Sequence, residues 1–396
     1  MSTPYAQLLR TAGGWEFSLA GFFARLPLAM GGIALFLLMV DITDSYFLAG
    51  AVDATWILVG AAMAPAVGRL IDRYGQSRVV GPQITIHVCA VVGIIALAAV
   101  DAPLWTFFIV AAIAGAALPV IGSAVRARWS YLLENSPLLR TAYSWESVVD
   151  EFVFIVGPPV AAFTSAAFGP SFAVGLTAFL GATGTYTLLL QRTTEPPARL
   201  HEHSDGALAF AYPGMPAVLV VMAALGLLFA GVEVTVIATA RESGNTPAAG
   251  IVLAIWSVSS MATGLIIGGL RRSPPLYKQL LIGSILLAAM LLPLLASQNL
   301  VTTAIILFFA GAAVSPTLIA GFTFVETLVP ASRLTEALTW ASTALAVGFA
   351  LGSPSSGWLV DHVSLGAGYW VGVISALLAA AAALAGRRSL TATPAR

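Results

Sequence analysis

The sequence predicts an all-α membrane protein of twelve transmembrane helices, arranged as two pseudo-symmetric six-helix bundles. Three observations predict it: an apolar composition, twelve stretches of spanning length, and an internal repeat. Of 396 residues, 59% are hydrophobic and 9% charged, against about 25% charged in a soluble domain. The solvent for most of this chain is therefore lipid. The formal net charge is zero, which removes bulk basicity as an argument for a nucleic-acid partner. The one cysteine, Cys89, cannot form an intramolecular disulfide.

A helix needs about 20 apolar residues to cross the hydrocarbon core. Span one, 18 to 40, is too long for a signal-peptide core and is followed by further spans, so it reads as a retained helix. Span two, 46 to 67, stops at the polar run that begins with Gly68, and span three, 79 to 99, starts after it. Span four, 103 to 125, ends at Arg126; span five, 142 to 165, follows Arg140; span six, 171 to 190, lies between Gly169-Pro170 and Gln191. Spans seven, 214 to 238, and eight, 248 to 269, flank the break from Arg241 to Asn245. Spans nine, 278 to 297, and ten, 300 to 325, are separated by Gln298-Asn299; spans eleven, 336 to 357, and twelve, 366 to 386, complete the set.

An even number of spans puts both termini on one side. With that side cytoplasmic, the inner segments hold 16 of the 18 basic residues; Arg241 lies in an outer loop and Arg25 within span one. This asymmetry fixes the expected orientation, with N- and C-termini inside, in the plasma membrane. The longest break, 191 to 213, carries Glu195-Pro196-Pro197 and His201-Glu202-His203, and suits a linker between an N-terminal bundle, 1 to 190, and a C-terminal bundle, 214 to 396. Two histidines without a third ligand make a poor metal site, so no metal and no cofactor are expected.

The halves repeat. Trp145 in span five and Trp340 in span eleven are 195 residues apart, as are Gly157 and Gly352, and Pro159 and Pro354. Ala114-Gly115-Ala116-Ala117 with Pro119 likewise matches Ala310-Gly311-Ala312-Ala313 with Pro316. Parallel repeats of six helices, with a substrate site between them, are one of the architectures used by secondary transporters.

The polar run Gly68-Arg69-Leu70-Ile71-Asp72-Arg73-Tyr74-Gly75-Gln76-Ser77-Arg78 resembles the loop signature between helices two and three of major facilitator superfamily transporters, known as motif A. Its glycines suit a tight turn. Asp72 against Arg69, Arg73 and Arg78 supplies charges for a conformational latch, a role the resemblance implies for Gly68, Asp72, Arg73, Gly75 and Arg78. Gly157-Pro158-Pro159 in span five is similar to the start of motif C, the glycine-proline signature of the family's drug/proton antiporters, although Ala161 and Ala162 stand where further glycine is expected. Its other reading is a kink in an interface helix. Two features depart from the pattern. Efflux members carry an arginine in span four (motif B), and 105 to 125 contains none; the second-half counterpart of motif A is reduced to Gly268-Gly269-Leu270-Arg271-Arg272, without an aspartate.

An ionisable side chain in a span costs about 2.5 to 3.5 kcal/mol on insertion scales, so it pairs or faces a polar cavity. Arg25 in span one and Asp150-Glu151 in span five lie at similar depth, about 10 to 14 Å from the inner end. They are expected to meet, with Arg25 pairing Glu151 or Asp150. Two carboxylates and one arginine leave one carboxylate without a cationic partner, the condition a proton carrier requires; a buried structural salt bridge is the alternative. Glu233 in span seven and Asp53 in span two either titrate within a cavity or snorkel to the interface. Glu146 and Glu326, nearer span ends, are expected to be solvated or to pair with Arg126, Arg128 or Arg140. His87 reads as a core histidine, and Trp105, Trp129 and Trp370 as interfacial anchors.

These features imply a monomeric secondary transporter working by alternating access, with a small-molecule substrate, protons and lipid as its partners. Export of a small amphipathic or hydrophobic compound against proton entry is the first reading. Proton-coupled uptake of a small metabolite, or a non-transporting scaffold or sensor, are the alternatives. No phosphate-binding loop or nucleophile constellation points to an enzyme.

Overall fold

The structure is a computed structural model and describes residues 7–8, 10–134, 136, 138–198, 209–269, 275–297, 299–330 and 334–391. Among these residues it is helical throughout, without strands. The helices are α1 (Gly14–Thr43), α2 (Tyr46–Tyr74), α3 (Gln76–Ala99), α4 (Leu104–Ala116), α5 (Ile121–Leu132), α6 (Leu139–Phe168), α7 (Pro170–Leu190), α8 (Met215–Glu242), α9 (Thr246–Gly269), α10 (Leu276–Leu291), α11 (Leu300–Leu328), α12 (Leu334–His362), α13 (Tyr369–Ala385) and the short α14 (Arg387–Thr391). Among the described residues eleven spans, counting Leu104–Leu132 as one, are both long and apolar enough to cross a bilayer. The remaining long helix, α12, has 29 residues, sufficient in length. Helices are the natural solution in lipid, because each satisfies its own backbone groups. Large apolar side chains face outward, as at Phe168 and Phe179, each 65% exposed, which lipid solvates at no cost.

Two boundaries differ from the sequence reading. Span four is longer than 103 to 125 and is broken: residues 117–120, around Pro119, interrupt it, and α5 then continues to Leu132. Arg126 and Arg128 therefore lie on this span's own helix. The polar loop is also shorter than expected, because α2 runs on to Tyr74. Gly68 lies inside that helix with open space around it, so it is no turn residue; Gly75, at φ +88°, alone makes the turn into α3.

The chain divides into two compact units, Met1–Leu38 with Ala62–Glu202 and Met39–Ala61 with His203–Arg396. In the first, α3 packs against α4 and α7, and α6 against α5 and α7. Helix α1 is seated by small residues: Gly157 of α6 lies against Ala29, Gly181 of α7 against Pro27, and Gly184 against the backbone of Ala20, Phe23 and Ala24. In the second unit α8 is the central element, packed on α12 and α13, while α11 packs on α9 and α10. Gly226 of α8 meets the backbone at Leu345 and Phe349, and Gly348 of α12 meets that of Ala223. The repeat has a physical correlate here. Gly157 of α6 sits on α1, and its counterpart Gly352 of α12 sits on α8, against Ala230 and Leu227.

Adding side-chain volume at Gly226 drives a Cβ into the α12 backbone, which no rotamer relieves. Gly226→Val is expected to lower the melting temperature of the purified protein by several degrees, since overpacking costs about 1 to 3 kcal/mol and each kcal/mol moves a domain of this size by about 2 to 4 °C. Gly68→Ala, in open helical space, is expected to leave it unchanged or slightly higher. Equal melting temperatures for the two variants would contradict the packing described.

Candidate functional site

The first unit buries a charged cluster where α1, α5 and α6 meet. Ser18 and Arg25 lie seven residues apart on one face of α1, Arg126 and Trp129 three apart on α5, and Glu146 and Asp150 four apart on α6. Glu146 is fully buried. Its Oε1 accepts hydrogen bonds from Ser18 Oγ and from Trp129 Nε1, both at 2.8 Å. Its Oε2 accepts from Arg25 Nη2 at 2.7 Å. Trp145 Nε1 donates in turn to Ser18 Oγ at 2.9 Å. Both carboxylate oxygens of Glu146 are thus engaged, with a cation beside them.

Asp150, one turn further along α6, bridges two arginines. Its Oδ2 accepts from Arg126 Nη2 at 2.6 Å, and its Oδ1 lies 3.2 Å from Arg25 Nη1. The second contact has ion-pair distance without hydrogen-bond geometry: Arg25 Nη1 and Nε are buried and have no hydrogen-bond acceptor. The asymmetry matters chemically. Asp150 is anchored to Arg126 and only leans on Arg25, so the buried guanidinium keeps two donors in reserve. Glu151 points about 100° away on α6. It is partly buried, and among the described residues no cation pairs with it.

Sequence reasoning placed Arg25 with Asp150 or Glu151, and the structure brings Arg25 to Asp150. It missed the stronger partner. Glu146, expected to be solvated or paired with Arg126, Arg128 or Arg140, instead takes the shortest bond to Arg25, because α6 starts at Leu139 and Trp129 and Ser18 cover the carboxylate. Trp129, expected at the interface, is fully buried for the same reason. The available signal was the four-residue spacing of Glu146 and Asp150, which puts both on one helical stripe. The extended span four also supplies Arg126, so the apparent lack of an arginine there followed from ending the span at 125. Arg140's side chain is outside the described residues.

The loop resembling motif A is stitched to its own unit by residues not singled out from sequence. Gln76 Nε2 donates to the carbonyl of Ala124 at 3.0 Å and Gln76 Oε1 accepts from Arg128 Nε at 2.8 Å. Arg128, fully buried, also donates to the Gln191 carbonyl at 2.9 Å and to Thr194 Oγ1 at 2.7 Å. Glu195 accepts from Ser77 N at 2.8 Å and Ser77 Oγ at 2.5 Å, satisfying the first turn of α3. Asp72, Arg69, Arg73 and Arg78 are exposed, and no ion pair joins Asp72 to the three arginines. Pro158 and Pro159 lie within α6, which continues through them to Phe168. His87 Nδ1 lies 2.8 Å from the Ala114 carbonyl. Asp53 of α2 and Glu233 of α8 belong to the second unit. Among the described residues no group of three or more His, Cys, Asp or Glu side chains is placed to hold a metal ion, and His201, His203, Arg271 and Arg272 lie outside them.

Residues 17–295 match the sequence profile of the Major Facilitator Superfamily. Comparison with curated proteins by sequence gives no match. Among solved structures, the nucleoside transporter NupG superposes with a TM-score of 0.73 at 16% identity, covering 95% of this chain and 98% of that one. A point mutant of NupG gives 0.74, also at 16%. An auto-inhibited peptide transporter of the POT family gives 0.67 at 13% identity, covering 96% and 97%. At these identities the likeness is one of fold.

Removing Glu146 leaves Arg25 buried without its principal partner, a loss of about 3 to 5 kcal/mol for a broken buried pair. Glu146→Leu is expected to fail to accumulate or to unfold at markedly lower temperature, whereas Glu195→Gln, on the partly exposed loop, is expected to change stability by no more than about 1 kcal/mol. Thermal unfolding of both proteins in detergent tests this, and an unperturbed Glu146→Leu protein would contradict the assigned anchor.

Proposed function

Because this chain belongs to the major facilitator superfamily, we propose that it is a secondary active transporter that works by alternating access and exports a small amphipathic or hydrophobic compound against proton entry. It sits in the plasma membrane as a monomer with both termini cytoplasmic, its two six-helix halves joined by the segment 191 to 213. The observation that carries the coupling assignment is the charge balance of the cluster. Two arginines, Arg25 and Arg126, engage two carboxylates, Glu146 and Asp150, while Glu151, next on α6, has no cationic partner among the described residues. Glu151 is the proton carrier in this reading. Asp150 is the moving part, since its hold on Arg25 is the looser of its two contacts. When Glu151 loses its proton, the buried donors of Arg25 provide it with a counter-charge, and the cluster rearranges between two discrete pairings. Asp72 and Arg73 of the loop, exposed in this structure, supply the latch that closes in the opposite state.

Proton-coupled uptake is the second reading. It is favoured by Ala161 and Ala162, which are fully buried where the antiporter pattern asks for glycine. Flux decides between the two. Compounds that raise the melting temperature of the purified protein are loaded with it into proteoliposomes, and their movement is followed under an imposed pH gradient. Movement opposite to the proton supports export, and movement with it supports uptake.

Replacing both Asp150→Asn and Glu151→Gln is expected to abolish pH-driven flux while the protein stays folded; undiminished flux would refute the carrier assignment. Asp72→Asn is expected to slow turnover by roughly tenfold or more, about 1.4 kcal/mol, with affinity little changed, and the reverse pattern would count against the latch.

A further inference from the structure

Two buried polar side chains of the second unit, Asp53 and Ser353, lie together, and a third, Ser356, is buried one turn further along the same helix as Ser353. Asp53 of α2 is 3% exposed and its Oδ1 has no hydrogen-bond partner. Ser353 and Ser356 of α12 are fully buried; neither hydroxyl has a partner in full hydrogen-bond geometry, and the Ser353 hydroxyl is beside the Asp53 carboxyl. Glu233 of α8 lies within electrostatic reach of Asp53. Backbone packing enforces the convergence. Gly50, one turn before Asp53, sits so close to Ser353 and Pro354 that a Cβ would stand 2.7 Å from their backbone. Gly352, beside Ser353, packs equally closely on Ala230, one turn before Glu233. Asp53 is seven residues from the start of α2, Glu233 nine from the end of α8 and Ser353 nine from the end of α12. All three therefore lie about 10 to 14 Å from the same end of their helices.

That end is closed over them. Asp361 of α12 caps α2: its Oδ1 accepts from Tyr46 N at 3.0 Å, and its Oδ2 from Phe47 N at 2.9 Å and Ser45 Oγ at 2.8 Å. Arg241 of α8 is engaged with Asp41 of α1 at 2.8 Å. The other titratable groups at this end are Tyr46 of α2, Glu242 of α8, His362 of α12, Tyr369 of α13 and Asp44 after α1; α9 carries none, and α11 only Glu326 near its far end. Among the described residues no cation faces Asp53 or Glu233.

We propose that Asp53 and Glu233, with the hydroxyls of Ser353 and Ser356, form a binding site for one monovalent cation, a proton or a sodium ion, on the inner side of the Asp361 cap. Two carboxyls in apolar packing need one positive charge between them. A proton would be shared by the acids, with Ser353 donating to the remaining charge; sodium would take oxygens from all four side chains. The site uses none of the residues of the Arg25 cluster, and its test does not depend on transport.

Thermal unfolding of the purified full-length protein is measured across a pH series in sodium chloride and, at equal ionic strength, in choline chloride. A bound proton gives a melting temperature that falls by about 2 to 4 °C or more as pH rises through the site's titration, in both salts; bound sodium gives a rise in sodium chloride over choline at the alkaline end. The pair Asp53→Asn with Glu233→Gln is expected to lose at least half of whichever response is seen. If that pair does not fold, Glu233→Gln alone, at the partly exposed position, is expected to halve it. A wild type indifferent to both ions, or a response unchanged in the variants, overturns the site.

Discussion

A single carboxylate, Glu146, takes hydrogen bonds from α1 and α5 while belonging to α6, and the geometry of the first unit's polar interior follows from it. Because Glu146 is fully buried, its carboxylate is met by Ser18, Trp129 and Arg25 together. This fixes the Arg25 guanidinium at one angle. From that angle it reaches Asp150 at ion-pair distance but not with hydrogen-bond geometry, so Asp150 is left to Arg126 for its stronger contact. Glu151, next along the helix, is then the acid for which no arginine remains among the described residues. The proposed coupling is thus a consequence of where the structural charge pair was placed, rather than a separate device.

The second unit uses a different economy. Glycines at 226, 348 and 352 bring α8 and α12 within backbone contact, and Gly50 and Gly357 do the same between α2 and α12. Close approach of backbones shuts acceptors and donors off from any solvent. Asp53, Ser353 and Ser356 are buried by this packing without being satisfied by it. A structure that hydrogen-bonds Glu146 so thoroughly leaves these groups open, and that contrast is the physical basis for assigning them an occupant.

Much of the architecture was legible in the sequence because lipid imposes a simple rule: long apolar runs are helices, and polar breaks are their ends. The departures arise where that rule is blind. Arg126 and Arg128 looked like the end of span four, yet both lie on α5 because each finds a partner in the unit, the half-buried Asp150 in one case and the buried Gln76 and Thr194 in the other. Gly68 looked like a turn residue, but the helix continues through it, and of the two loop glycines only Gly75 has a positive φ. Arg25 and Asp150 could be matched by depth, which counts residues along a helix. Asp53 and Glu233 could be named but not joined, since their meeting depends on which faces the glycines press together, 180 residues apart in sequence.

The central claim is that Glu151, rather than the hydrogen-bonded Glu146, carries the exchangeable proton. Difference infrared spectroscopy of the purified protein, stepped through pH in H2O and D2O, tests it most directly. The account predicts a protonated-carboxyl band, shifted by deuterium, of which one component disappears in Glu151→Gln and persists in Glu146→Gln. A spectrum unaltered by Glu151→Gln, or one whose component vanishes with Glu146→Gln instead, would contradict it.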